Sequence, residues 1–174
     1  TKTELWIHRK KLKNLPEFVK KYTNLKKLHC NENLLTQCDN VPTTIEILFC
    51  DYNLLTQLNN LPQNLKELSC CNNKITQLDF LPIGLKHLTC SNNEITHLDN
   101  LPPNLKKLSC GDNKITHLDN LPLNLKILCC GCNNITKLNN LPKSLKKIRC
   151  SGNPLEYDFR PSLKNIRNYL TSMV

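Results

Sequence analysis

The chain is poor in what usually fills or powers a globular protein. Of its 174 residues only 5% are aromatic, with a single Trp, a single Met and four Gly. So few rings cannot fill a compact centre, and the apolar 39% must do it with repeated Leu, Ile and Cys. Four glycines leave no glycine-rich loop to cradle a phosphate. Ser, His and Asp do not gather into a nucleophilic set and no carboxylate pair marks a cleft, so an enzyme is not expected, nor a cofactor. There is no run of about 18 apolar residues and no charged-then-apolar leader. No membrane association is expected, and the expectation is a soluble, cytoplasmic protein.

What the chain has in abundance is repetition. Residues Leu105 to Asn124, LKKLSCGDNKITHLDNLPLN, are one copy of a phrase that starts at Leu25, Ile45, Leu65, Leu85, Leu105 and Leu125 and decays after Leu145. A twenty-residue unit cannot close a core alone. Its apolar residues must be buried against the units on either side, which makes the chain a solenoid.

Within each unit, apolar, polar, apolar at Leu108, Ser109 and Cys110 is strand alternation, and the polar Gly111, Asp112 and Asn113 then bend the chain. The Asn recurs as Asn33, Asn53, Asn73, Asn93, Asn113, Asn133 and Asn153, where an amide can bond its own turn and the adjacent units. Pro42, Pro62, Pro82, Pro102, Pro122 and Pro142 forbid a helix on the return side, which should be extended or polyproline-like. The strands are then parallel and all on one side.

Seven of the eleven cysteines, Cys30, Cys50, Cys70, Cys90, Cys110, Cys130 and Cys150, hold one repeat position. Such regularity reads as a packing column of small buried hydrophobes, inert and reduced. Successive column thiols fall within the Cα range of a disulfide, but their parallel Cβ vectors argue against closure.

The net charge of +10 sits at the two ends: residues 1–24 and 143–174 each carry seven Lys or Arg against two acids. Basic ends could grip a polyanion; solvated charge that keeps solenoid ends soluble explains them equally well.

The pattern Leu-x-x-Leu-x-Cys-x-x-Asn-x-Ile/Leu resembles the leucine-rich repeat family, over about Leu5 to Leu170. The joint Leu101-Pro102-Pro103-Asn104-Leu105 is similar to the short repeats of bacterial type III effectors and of giant-virus repeat proteins. The chain differs from the effector pattern at Asp79, Asp99, Asp119 and Asn139, where a second proline is favoured, and in its Cys column. That column, with abundant Asn, Lys and Ile, tilts the resemblance toward the viral or protist kind, which implies a host cytoplasm. The resemblance covers the repeats alone, so an appended ubiquitin-ligase activity is not expected. The implied fold is mostly β within the α/β class: one right-handed solenoid domain with a concave parallel sheet, an extended convex side and a short C-terminal capping helix.

Residues 1–24 form an N-terminal capping repeat, 25–144 six repeats, and 145–174 the last repeat and C-terminal cap. In the first, Lys10 replaces the ladder Asn, and Phe18, Val19 and Tyr22 after Pro16 predict a coiled return segment. In the last, Leu163, Ile166 and Leu170 predict one face of a helix starting near Ser162 that covers the open core. The closing segment resembles the family's C-terminal motif with its cysteines absent, as Tyr157 and Phe159 show.

Residues flanking the inward Leu of each strand point to the open face. One column is Glu4, Lys27, Ile47, Glu67, His87, Lys107, Ile127 and Lys147; the other is Trp6, His29, Phe49, Ser69, Thr89, Ser109, Cys129 and Arg149. Trp6, His29, Phe49 and, just beyond the strand, Tyr52 form an aromatic stripe, the usual material of interface hot spots. A protein-binding scaffold is expected, working as a monomer through Trp6, His29, Ile47, Phe49, Tyr52 and His87. The competing reading has Trp6 merely covering the N-terminal strand.

Cys129, Cys130 and Cys132 suggest a soft-metal or redox site, but alternation splits them between two faces and no CxxC pair completes a shell. No metal site is expected. Cys71 and Cys129 are the expected exposed thiols. His97 and His117 should stack, and Lys26, Lys66, Lys86, Lys106, Lys126 and Lys146 form a column read as a soluble flank, with nucleic acid not expected as a partner.

Overall fold

The computed structural model describes residues 2–157 and 159–172. The strands are β1 (Glu4–Trp6), β2 (Lys27–His29), β3 (Ile47–Phe49), β4 (Glu67–Ser69), β5 (His87–Thr89), β6 (Lys107–Ser109), β7 (Ile127–Cys129) and β8 (Lys147–Arg149). They form one eight-stranded sheet in sequence order, every neighbour parallel. Register follows the repeat: Leu28 pairs with Leu48, Leu48 with Leu68 and Leu88 with Leu108. A parallel pair needs a crossover, and here the rest of each coil supplies it without a helix.

Each strand is three residues long, and in β6 the inward Leu108 is followed by the inward Cys110 before the left-handed corner at Asp112 turns the chain. All seven column cysteines are buried, six of them completely. The Cys30 and Cys50 thiols donate to the Phe49 and Ser69 carbonyls of the following strands, both at 3.3 Å.

The repeated proline makes a turn. Pro62 O accepts from Leu65 N at 3.0 Å, and Pro82, Pro102 and Pro142 repeat the bond to the leucine three residues on. These prolines are buried. A residue without an N–H brings no orphan donor to the wall of the coil.

The asparagine ladder joins coil to coil. Asn93 Nδ2 donates to Cys90 O of its own coil at 3.1 Å and to Cys70 O of the preceding one at 3.0 Å, and its Oδ1 accepts from Ile75 N at 3.0 Å. Asn53, Asn73, Asn113 and Asn133 repeat this set. At the front, where Lys10 stands in the ladder position, Asn33 reaches back to Ile7 O and accepts from Lys10 N and Leu12 N. The residue before each ladder Asn is left-handed: Glu32, Tyr52, Asn72, Asn92, Asp112, Cys132 and Gly152, with φ from 52° to 73°. Asn, Asp and Gly tolerate this conformation; Glu, Tyr and Cys adopt it at a cost.

Both ends are closed as the sequence predicts. After Pro16 a 3-10 helix (Glu17–Lys21) buries Val19 and leaves Phe18 half exposed against Tyr22. The helix α1 (Leu163–Ser172) buries Ile166, with Leu163 and Leu170 partly covered against the core. Ser162 Oγ caps it by accepting from Asn165 N at 3.2 Å. Arg167 donates to the carbonyls of Pro142, Lys143 and Leu145, which have no further coil to bond. Tyr169 of the helix packs against Tyr157 and Phe159, the three ring centroids 5.0 to 5.7 Å apart.

Asn93→Ala strands Ile75 N–H in the core and leaves the Cys70 and Cys90 carbonyls with one ladder amide each, from Asn73 and Asn113. It should lower the unfolding free energy by about 1–3 kcal/mol in urea denaturation, while Asn92→Ala, one residue earlier, should cost only the left-handed backbone of an alanine, about 1 kcal/mol.

Candidate functional site

The outer face of the sheet carries the site. Successive strands set Trp6, His29 and Phe49 opposite one another. The Trp6 and His29 rings stack at 3.6 Å with planes 5° apart, and His29 and Phe49 at 4.9 Å and 28°. Glu4 Oε1 lies 2.8 Å from His29 Nε2 and fixes the imidazole in its slot. His8 meets the Trp6 ring edge-on at 5.9 Å. Trp6, His8, Arg9, His29, Asn31 and Glu32 line an open recess of about 240 Å³. The Nδ1 of His8 is buried there with no hydrogen-bond partner among the described residues. Arg9 closes one rim by donating to Glu32 at 2.8 Å; that ion pair holds the Glu32 carboxyl below its ordinary range and raises the guanidinium.

The named contacts do not contribute equally. Trp6 and Tyr52 are 58% and 60% exposed, whereas His29 is only 8% exposed. His29 is thus the layer that holds Trp6 flat and offers little surface itself. Ile47 lies on the neighbouring column beside Lys27 and Glu67. His87 lies two strands beyond Phe49, half exposed, its Nδ1 3.9 Å from Glu67 Oε2.

The cysteines behave as a column of inert thiols, with one change. Burial pushes Cys70, Cys90 and Cys110 well above the ordinary thiol value and Cys130 up to about 12. Cys50 is raised first by a hydrogen bond with Cys38, then by burial. Cys38 stands where later coils have Leu58, Leu78 and Leu98, a substitution the sequence reading passed over. All eleven cysteines are free. The exposed one is Cys132, on the left-handed corner, while Cys71 and Cys129, expected to be exposed, are only partly so. The corner turns position 132 outward, which strand alternation could not foretell. Cys130 is inward and Cys132 outward, so the set diverges; no group of three His, Cys, Asp or Glu among the described residues could hold a metal.

His97 and His117 each bond the hydroxyl of the preceding threonine, at 2.9 and 3.0 Å. In the Lys column, Lys26 and Lys66 both pair with Glu46. The sequence reading also missed Phe80, Ile83 and Leu123, 69% to 84% exposed, though each departs visibly from the residues its neighbours carry. No helix of the described residues is long and apolar enough to cross a membrane.

A parallel solenoid of twenty-residue coils with an inner Leu, Cys and Asn lattice is the architecture of leucine-rich repeat proteins, and in repeat and fold this chain matches them. Solved structures bear this out. YopM from Yersinia enterocolitica is 31% identical with a TM-score of 0.84, covering 93% of this chain and 36% of its own. The leucine-rich repeat domain of a Shigella effector is 28% identical at 0.82, over 98% of this chain and 76% of its own. The functional domain of InlJ from Listeria monocytogenes, described as including a cysteine ladder, is 35% identical at 0.80, over 94% and 37%. The chain thus spans about a third of the YopM and InlJ chains. No protein-family model matches the sequence, and no curated protein matches it.

Raised thiol values make the core sensitive to alkali. The folded state favours the protonated thiol, so its contribution is whole below the ordinary value of 9.0 and is lost as pH climbs toward about 12. Unfolding midpoints should be flat on this account up to about pH 9 and fall above it. A maleimide applied to the native protein should label Cys132 first and the seven column thiols only on unfolding.

Proposed function

We propose that the chain is a non-catalytic protein-binding scaffold whose outer sheet face takes a protein partner through Trp6, Ile47, Phe49, Tyr52 and His87, with His29 as the support. The observation that carries this is Tyr52. It is 60% exposed and left-handed at φ 54°, where Asn72, Asn92, Asp112 and Gly152 occupy the same position more cheaply. An exposed aromatic held in a costly backbone state gains nothing for folding, and such outliers cluster where a surface is used. Beside it the Trp6–His29–Phe49 stack supplies a preorganised aromatic anchor rimmed by Glu4, Lys27 and Glu67.

The similarity to effector proteins of Yersinia and Shigella supports a scaffold that works inside another organism's cytoplasm. The cysteine column does not favour a viral source over a bacterial one, since a Listeria protein is described as having a cysteine ladder too. The giant-virus resemblance therefore rests on the abundance of Asn, Lys and Ile.

Retention of a partner from native-cell extract tests the reading. Trp6→Ala and Phe49→Ala should each weaken retention by tenfold or more, about 1.4 kcal/mol. Tyr52→Asn separates binding from folding: it should raise stability by about 1 kcal/mol while lowering retention. Alanine at Lys10, Lys11, Lys13, Lys146 and Lys147 should leave retention unchanged; if instead these five changes abolish a salt-sensitive hold on heparin or RNA that accounts for the binding, the polyanion reading takes its place.

A further inference from the structure

Away from the strand face, the coils turn a corner between the buried proline and the next strand. Before the Leu-Pro step or its equivalent, five coils place Asn (Asn40, Asn60, Asn100, Asn120 and Asn140), and after it the first two coils and the last place a polar residue, Thr43, Gln63 and Lys143. One stretch departs. Phe80 and Ile83 on one corner, Pro103 on the next and Leu123 on the one after are apolar, with Phe80, Ile83 and Leu123 exposed by 79%, 69% and 84%. These corners are locked side by side, because Asn104 Nδ2 donates to Ile83 O at 3.4 Å and Asn124 Nδ2 to Pro103 O at 3.3 Å. Corners one sheet spacing apart, about 4.8 Å, merge the side chains into a continuous apolar ridge. Phe80 extends it toward the preceding coil, where it lines an open groove with Asn60, Leu61 and Gln63. The polar residues elsewhere show that the fold does not need an apolar corner, and a contiguous patch of this kind marks an interaction surface.

The ridge has charged flanks of opposite sign. Along each coil the exposed residues run acid, apolar, base: Asp79, Asp99 and Asp119 lie on one side, and Lys86, Lys106 and Lys126 on the other. Among the described residues none of these six forms an ion pair. An isologous interface needs a patch that complements itself after a two-fold rotation. Rotation about an axis parallel to the solenoid lays ridge on ridge and sets each Asp row against the other copy's Lys row. Rotation about the perpendicular in-plane axis sets Asp on Asp and Lys on Lys. The two chain ends are equally basic and do not discriminate between the two arrangements.

We propose that the ridge of Phe80, Ile83, Pro103 and Leu123 docks a second copy of this chain, the two solenoids side by side and parallel. This revises the monomer expected from sequence. The acid row beside Phe80 sets the surface apart from one made for an anionic bilayer, which would be repelled by it. Three coils make a small contact, so the dimer is weak, with a Kd on the order of 100 μM.

Sedimentation equilibrium of the whole chain, at concentrations up to about 1 mM, tests this. Wild type should dimerise reversibly. A Phe80→Asn, Ile83→Gln, Leu123→Gln variant, built from the residues that Asn60 and Gln63 already place on an equivalent corner, should stay monomeric with its unfolding curve unchanged. Asp99→Lys and Lys106→Glu should each weaken association about fivefold or more, and the two together should restore it, since the rows then attract with reversed polarity. A wild type that is monomeric throughout overturns the proposal, whether or not it sediments with phosphatidylserine vesicles. So does a double variant weaker than either single one.

Discussion

A twenty-residue coil has no inside of its own, and every polar group of its backbone that faces inward needs a partner from the next coil. The ladder asparagine meets that need. One side chain bonds three carbonyls and one amide, two of the four from a neighbouring turn, so the sheet hydrogen bonds on one side and the Asn bonds at the corner fasten each coil twice. The remaining inward positions are then free to be Leu, Ile and Cys, stacked in columns at a fixed spacing. Where the lattice ends, different chemistry takes over: Asn33 reaches back into the irregular first coil, and Arg167 covers the last carbonyls.

A lattice this regular makes exceptions informative. Where most coils place a cheap residue, a departure needs a reason in packing or in contact with something else. Cys38 in a leucine position has a packing reason, since it is partly buried against the core. Tyr52 on a left-handed corner and the Phe80, Ile83 and Leu123 ridge have none, being exposed. They lie on different parts of the coil: Tyr52 just past the strand face, the ridge at the corner before it. A solenoid can carry both because its coils contact only their immediate neighbours, and a change of surface at one corner leaves the lattice beneath undisturbed.

Most of the fold was legible in the sequence. The period set the register, alternation set which residues face inward, and proline excluded helices from the return side. The strands, the buried Cys column, the first-coil 3-10 helix and the C-terminal helix fall where the residues put them. The candidate site was legible as a list of outward residues and less so as an arrangement. Strand order alone brings Trp6, His29 and Phe49 together, but how flat the rings lie, and that Glu4 holds His29 buried between them, depends on side-chain packing that no period encodes.

Sequence by itself determined the solenoid, because burial and backbone pairing leave one way to stack a short repeat that is apolar on one side. The tertiary structure alone decided which exceptions are surface and which are core. A left-handed corner throws Tyr52 and Cys132 outward, against what strand alternation implies, and the lateral bonding of corners gathers Ile83, Pro103 and Leu123, twenty residues apart in the chain, into one ridge. Periodicity fixes distance along the coil; only closure of the coil fixes direction across it.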